Sequence, residues 1–196
     1  TCSAIDDGDN KPRAIREASA LQPFDPPYGW PTNPLEAMNI IDYGDVAFDY
    51  AHTPSFPDLV TDHIRTILTA GAGTVTLGGD HFITLPILRA YAEKYGPMAV
   101  IHFDAHSDLW ADDDMDRIDH GTFFYKAVKT GVIDPKASVQ IGIRTHCDDY
   151  LGVEYIDART VHEKGTAAAV ARAKEIVGNR PCYVTFDIDC LDPSAA

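Results

Sequence analysis

Long apolar runs are missing from this chain. No stretch approaches the length of a membrane-spanning helix, and the first residues, TCSAIDDGDN, lack the basic start and apolar centre of a secretion signal. A cytoplasmic protein without membrane contact is the expectation. Cysteine is scarce as well: Cys2, Cys147, Cys182 and Cys190 are too few and too scattered for a disulfide framework or a zinc knuckle, and are expected to be reduced. Cations are in short supply, 16 Lys and Arg against 30 Asp and Glu, for a net charge of −14. That balance argues against nucleic acid or an anionic membrane as partner and suits a small cationic molecule or metal ions, although much of it serves solubility. Internal repeats and low-complexity segments are also lacking. The 196 residues, 45% of them hydrophobic, suffice for one sizeable core, so residues 1–196 are read as one domain or part of one.

What is present alternates between strand and helix signals. ALQPFDPPYGWPTNPLEAMN, rich in Pro and aromatics, reads as a surface excursion, and NIIDYGDVAF as a first strand. PDLVTDHIRTILTAG places Leu59, Ile64, Ile67 and Leu68 near one helical face, and GTVTLGGD reads as a short strand ending in glycines. A helix is expected from about Leu85 to Tyr95, a strand over MAVIHFDAH and a helix around FFYKAVKTG. Strands over SVQIGIRT and VEYIDA, a helix over TAAAVARAKEIVG and a last strand over CYVTFDIDC follow. Strands separated by helices predict an α/β fold with a mostly parallel sheet covered on both faces, and ligands of such sheets gather at the carboxyl ends of the strands.

Those ends carry groups that are costly to bury. VTLGGDH brings His81, IHFDAHSD brings Asp104, His106 and Asp108, and YVTFDIDCLDP brings Asp187, Asp189 and Asp192. Spacing by two puts Asp104, His106 and Asp108 on one face of an extended chain, and does the same for Asp187 and Asp189. Ionised carboxylates gathered in one place need a counter-charge. A lone D-x-D after a strand is more often a loop cap than a ligand set, but three such ends in one chain point to divalent cations. With four carboxylates, two imidazoles and no thiolate, the set favours Mn²⁺ over a structural zinc site. Two adjacent ions would lower the pKa of a shared water to roughly 7, as a hydrolase requires. His102 is read as a supporting or packing histidine, and His52, His63, His146 and His162 as surface or satisfied polar positions.

GGDH at 78–81, DAHSD at 104–108, HGT at 120–122 and FDIDCLDP at 186–193 together resemble the ureohydrolase (arginase/agmatinase) family, and IDHGTFF followed by SVQIGIRT resembles its agmatinase branch. The resemblance implies a three-layer arginase-like fold and a pair of Mn²⁺ ions. His81, Asp104, Asp108 and Asp187 would surround one ion; His106, Asp104, Asp187 and Asp189 would surround the other; Asp104 and Asp187 would bridge. Asp108 would also act in catalysis by accepting a hydrogen bond from the nucleophile, His120 would transfer a proton, and Asp80 and Asp192 would support the site. The implied reaction is hydrolysis of a guanidino group, agmatine to putrescine and urea. A guanidinobutyrase, another amidinohydrolase or a non-catalytic metal-binding homologue are the alternatives, and a homo-oligomer is expected.

The family pattern is not complete. SAIDDGDNKPRAIREAS is acidic where an Arg- and Gly-rich loop is typical, and the sequence stops at DPSAA, before the strands and the guanidinium-binding glutamate that the family carries. The expectation is an internal fragment of a longer enzyme, incomplete at both ends.

Overall fold

A computed structural model describes residues 10–19, 26 and 28–195. The chain divides into two compact units, one from the described residues of Thr1–Ala47 with Val75–Asp80, the other from Phe48–Thr74 with His81–Ala196.

In the first unit, helix α1 (Asn10–Ser19) carries Arg16, whose guanidinium reaches Asp42 Oδ2 at 2.6 Å and Asp45 Oδ1 at 2.8 Å. A single turn, α2 (Pro34–Ala37), is capped by Asn33, whose side chain accepts from the Leu35 N–H at 3.0 Å. Part of the Pro-rich excursion, and Cys2, lie outside the described residues. The two early strands do not form: residues 39–49 and 73–78 are irregular. Ile40, Ile41, Tyr43, Val75 and Leu77 stay exposed. Among the described residues no strand pairs with these segments, and without a neighbouring strand apolar content does not make one.

The second unit holds a four-stranded, wholly parallel sheet: β1 (Ala99–Phe103), β2 (Val139–Ile143), β3 (Glu154–Asp157) and β4 (Cys182–Phe186), in the order β3-β2-β1-β4. Alternation along β1 sends Val100 and His102 to one face and Ala99, Ile101 and Phe103 to the other. The first face packs on helices α4 (Thr84–Tyr95) and α5 (Phe123–Lys129) through Leu85, Leu88, Phe123 and Phe124. The opposite face packs on α7 (Thr166–Val177), whose Ala169, Ala173 and Val177 recur every fourth residue and meet Val139, Ile141, Ile156 and Ala99. Helices on both faces of a parallel sheet make the three-layer arrangement that the alternation predicts.

Helix α3 (Phe56–Thr69) backs α4, burying Val60, Thr61, Ile64 and Leu68; Val60 rather than Leu59 joins the apolar face. Its Thr61 hydroxyl lies 2.9 Å from Pro57 O and 3.0 Å from Pro86 O, tying the two helices together. A helix with no clear apolar stripe, α6 (Ala158–Lys164), begins where the Asp157 side chain accepts from the Thr160 N–H at 2.6 Å, a cap the sequence reading did not use. Among the described residues no helix is long and apolar enough to cross a membrane.

Candidate metal centre

Parallel pairing of β1 with β4 sets Phe103 opposite Phe186, so the residues that follow, Asp104 and Asp187, emerge side by side. The ladder carries one step further, with the Asp187 N–H donating to Phe103 O at 2.8 Å. Both aspartates then turn the chain with their own carboxylates. Asp104 Oδ1 accepts from the His106 N–H at 2.7 Å, and Asp187 Oδ1 from the Asp189 N–H at 3.0 Å. The predicted extended geometry is therefore replaced by two aspartate-capped turns, the second of them a 3₁₀ turn, Ile188–Cys190. The turns are stitched together where the Ala105 N–H donates to Asp189 Oδ1 at 3.0 Å. Asp108 ends the segment in the left-handed region, φ +51°, a conformation costly for a residue with a side chain. Its carbonyl accepts from the N–H groups of Phe124 and Tyr125, both at 3.1 Å, so the same bend caps α5. His81 comes from a 3₁₀ turn, His81–Ile83, that leads into α4, and not from a strand end.

The six expected donors converge in two groups that share Asp104. His81 Nδ1 lies 3.0 Å from Asp104 Oδ2, 3.2 Å from Asp187 Oδ2 and 3.6 Å from Asp108 Oδ2. His106 Nδ1 lies 2.9 Å from Asp189 Oδ2 and 3.4 Å from Asp104 Oδ1. Asp104 thus turns one oxygen to each histidine. The donors offered by His81, His102, Asp104 and Asp108 lie within 4.8 Å of one another, as do those of Asp104, His106 and Asp189.

His81 Nδ1 is the informative atom. It is buried and close to three carboxylates, yet it makes no hydrogen bond of acceptable geometry. Its other ring nitrogen lies 2.7 Å from Thr185 Oγ1; a proton held there leaves Nδ1 with a lone pair that faces negative oxygens. Such an arrangement calls for positive charge between the nitrogen and the oxygens, and a divalent ion fits it. Without one, a proton takes the place. Burial works against a charged His81, but Asp104, Asp187 and Asp108 overcome it and push its pKa up to about 9. Asp108 is pushed well above the carboxylate range by burial and by the charges of Asp104, Asp187 and Asp189, and burial raises Asp189 as well. Asp104 is held well below that range: burial opposes its charge, but His102 and His81 beside it prevail.

Beneath the donors runs a buried polar row that sequence reasoning missed in part. Gln140, His102 and Thr185 stand opposite one another on β2, β1 and β4. His102 Nε2 lies 2.7 Å from Asp104 Oδ2, and its Nδ1 is 3.0 Å from Gln140 Nε2, which also donates to Ser107 O at 2.6 Å. With both ring nitrogens engaged, and burial lowering its pKa, His102 is a neutral support for Asp104, as expected of it. The signal for Gln140 and Thr185 was a polar side chain inside an otherwise apolar strand.

His120 opens a 3₁₀ turn, His120–Thr122, immediately before α5 and next to the turn that carries His81. It is exposed and is not among the converging donors. Trp110 crosses its neighbour: a Cβ at Gly121 would fall 2.5 Å from the indole ring. The acidic run ADDDMDRID, whose charge alone implies a solvated loop, departs from that at one position. Asp112 is buried, 3.1 Å from the buried Lys126 Nζ though not aligned as a hydrogen bond, and Lys126 also donates to Arg117 O. Asp192 accepts from Ser194 N–H at 2.8 Å in a turn of its own, and Asp80 belongs to the first unit. His146 pairs with Asp148 at the surface, and Cys147, Cys182 and Cys190 are free thiols.

Comparison with known proteins places the whole of this sheet and its helices in one family. The Arginase family model matches residues 6–196. The agmatinase of Chromobacterium violaceum is 54% identical over 187 residues, covering 94% of this chain and 58% of the relative; that of Proteus mirabilis is 45% identical, covering 94% and 60%. Among solved structures, a hypothetical agmatinase from Burkholderia thailandensis superposes with a TM-score of 0.92 at 54% identity, covering 95% of this chain and 59% of that one. The proclavaminate amidino hydrolase of Streptomyces clavuligerus gives 0.86 at 36% identity, covering 95% and 64%. The chain therefore spans about three fifths of the length of these relatives, and it belongs to the arginase family.

Proposed function

We propose that this chain carries the metal centre of a manganese-dependent enzyme that hydrolyses a guanidino group, with agmatine converted to putrescine and urea. The observation that carries the proposal is the convergence of His81, Asp104 and Asp187 on one point and of His106, Asp104 and Asp189 on a second, in a chain 54% identical to an agmatinase. The family match runs through both compact units, which supports reading residues 1–196 as part of one ureohydrolase domain. Cytoplasmic location, homo-oligomeric assembly and a small cationic partner belong to the same proposal.

In this reading His81, Asp104, Asp108 and Asp187 hold one Mn²⁺, and His106, Asp104, Asp187 and Asp189 the other. When bound, the ions would supply the positive charge that brings the pKa of water down to about 7. The chain's own residues do the rest. Asp104 and Asp187, fixed by their turns, set the spacing of the two positions. Asp108, aimed by its left-handed backbone, accepts a hydrogen bond from the attacking water and orients it toward the guanidinium carbon. His120 delivers a proton to the departing amine nitrogen as the C–N bond breaks. Of the two protons the water gives up as its oxygen becomes that of urea, one passes by way of Asp108 to complete the protonated amine and the other restores His120. The net charge of −14 draws a dicationic substrate toward the site and disfavours one that bears a carboxylate.

The test is urea release by the full-length, Mn²⁺-loaded protein from agmatine, arginine and 4-guanidinobutyrate. Agmatine is expected to have the higher kcat/KM by at least about tenfold, roughly 1.4 kcal/mol in transition-state binding. Equal or better use of either carboxylate-bearing substrate would overturn the agmatine assignment, and loaded protein that releases urea from none of them would overturn the catalytic one.

A further inference from the structure

β2 offers no donor to either group, yet its end touches both aspartate-capped turns. Gly142, at φ +101°, lies so close beneath them that an added Cβ would meet Asp104 O at 3.1 Å and Cys190 Cβ at 3.6 Å. Two residues on, the Arg144 N–H donates to Ala105 O at 2.9 Å, which pins the backbone of β2 to the first turn. The Arg144 guanidinium then reaches across to the second turn, where Nη2 lies 2.5 Å from Asp189 O and 3.3 Å from Leu191 O. One residue therefore grips both turns, by its main chain on one side and by a charged donor on the other.

We infer that Arg144 is a positioning residue for the half-exposed ion position formed by Asp104, His106 and Asp189. The inference rests on the metal reading above and adds to it the group that fixes the distance between two donor-bearing turns. The need for such a group differs between the positions. Around His81 the donors are packed from below by the Gln140–His102–Thr185 row and by the Phe123 ring, 4.7 Å from His81 by ring centroids. Asp189 has no comparable packing: its side chain is 37% exposed, and its carboxylate is tied to protein by the Ala105 N–H and by the His106 ring. A guanidinium on the Asp189 and Leu191 carbonyls orients the turn from outside, through hydrogen bonds strengthened by the donor's charge. It touches neither the reacting atoms nor a donor side chain, so its influence on catalysis passes through Asp189.

The test measures Mn²⁺ bound to the full-length protein after dialysis against graded Mn²⁺. The electron paramagnetic resonance spectrum of each loaded sample distinguishes a coupled pair from a lone ion. Wild-type protein should hold two ions. Arg144→Ala should keep one at wild-type affinity and bind the second roughly 10- to 100-fold more weakly, with a lone-ion spectrum at intermediate Mn²⁺. Arg144→Lys, which keeps the charge but offers a compact ammonium in place of the planar fork, should recover part of the loss. If Arg144→Ala does not fold, Arg144→Gln, which keeps one donor at similar length, is read in the same way. Two ions at wild-type affinity in the variant, or equal weakening of both, would overturn the role of Arg144 while leaving the metal reading intact. Wild-type protein that fails to hold two ions would overturn the metal reading, and this inference with it.

Discussion

The two donor groups meet at Asp104 but are built differently. Around His81 the side chains are shielded, 9% exposed for His81, 2% for Asp104 and 5% for Asp108, and each is fixed by a neighbour that is itself buried. Around His106 the exposures are 41% for His106 and 37% for Asp189, and the geometry is held by turns and backbone hydrogen bonds. A charge in the first group has little water to screen it, so its pKa values are strongly displaced; the second can be hydrated when empty. One side is a buried donor set with a left-handed backbone at Asp108, and the other is a partly exposed one. That division suits a centre in which one ion is held fast and the other faces the substrate.

The comparison predicts its own failures. Asp104→Ala removes the one residue common to both groups and should cost both ions and all measurable urea release, read by metal analysis and urea assay. Asp187→Ala, which removes the second carboxylate proposed to serve both ions, should also lower occupancy at both positions. Loss of a single ion from either variant would mean the groups are independent. His81→Ala and His106→Ala should then separate the sides, each losing one ion. In metal-free protein the raised pKa of His81 has a signed consequence. Its charged form stabilises the fold fully below about pH 6.5, and that stability is lost as pH rises through about 9. Melting temperatures of the metal-free protein should fall over that window, and the part due to His81 should vanish in His81→Ala. His120→Asn leaves both groups intact and should lower turnover by roughly 10²-fold with metal content unchanged. Loss of manganese would put His120 among the ligands. The smallest effect is expected from Gln140→Leu, which withdraws a bond from His102 and should weaken the buried position by about tenfold while sparing the exposed one, measured by Mn²⁺ titration.

Much of this architecture is legible in the chain because parallel sheets write themselves plainly: short β-branched runs, helices between them, and polar groups where each strand ends. Five of the six candidate donors, all but His81, which precedes α4 with no described strand before it, were readable from those ends. The way they converge was not. Alternation along extended strands was the expected cause, whereas the aspartates at 104 and 187 fold their own backbones into turns, the ordinary behaviour of a D-x-D segment. Cap and donor are the same residue here. Segments 39–49 and 73–78 have strand-like composition and yet form none, since pairing is a property of the neighbour and not of the segment. Asp112 was lost in an acidic run because burial beside Lys126 depends on a helix that follows it in sequence. Arg144 could not be found from its own surroundings in the chain, because its partners at 105, 189 and 191 meet only across the sheet.

The parallel pairing of β1 with β4 also bears on how the centre comes into being. Asp104 and His106 follow the first strand of the sheet, Asp187 and Asp189 the last, and two further strands and three helices lie between them. Closing so long a loop carries an entropic cost before any contact rewards it, which places this topology among the slower folders. Until that closure the His106 group lacks Asp189 and the His81 group lacks Asp187, so ions would meet only part of each donor set in the early ensemble. Ions bound only after closure would be absent from the transition state, and interactions absent there change the unfolding rate rather than the folding rate. Manganese would thus lengthen the life of the finished sheet without hastening its assembly.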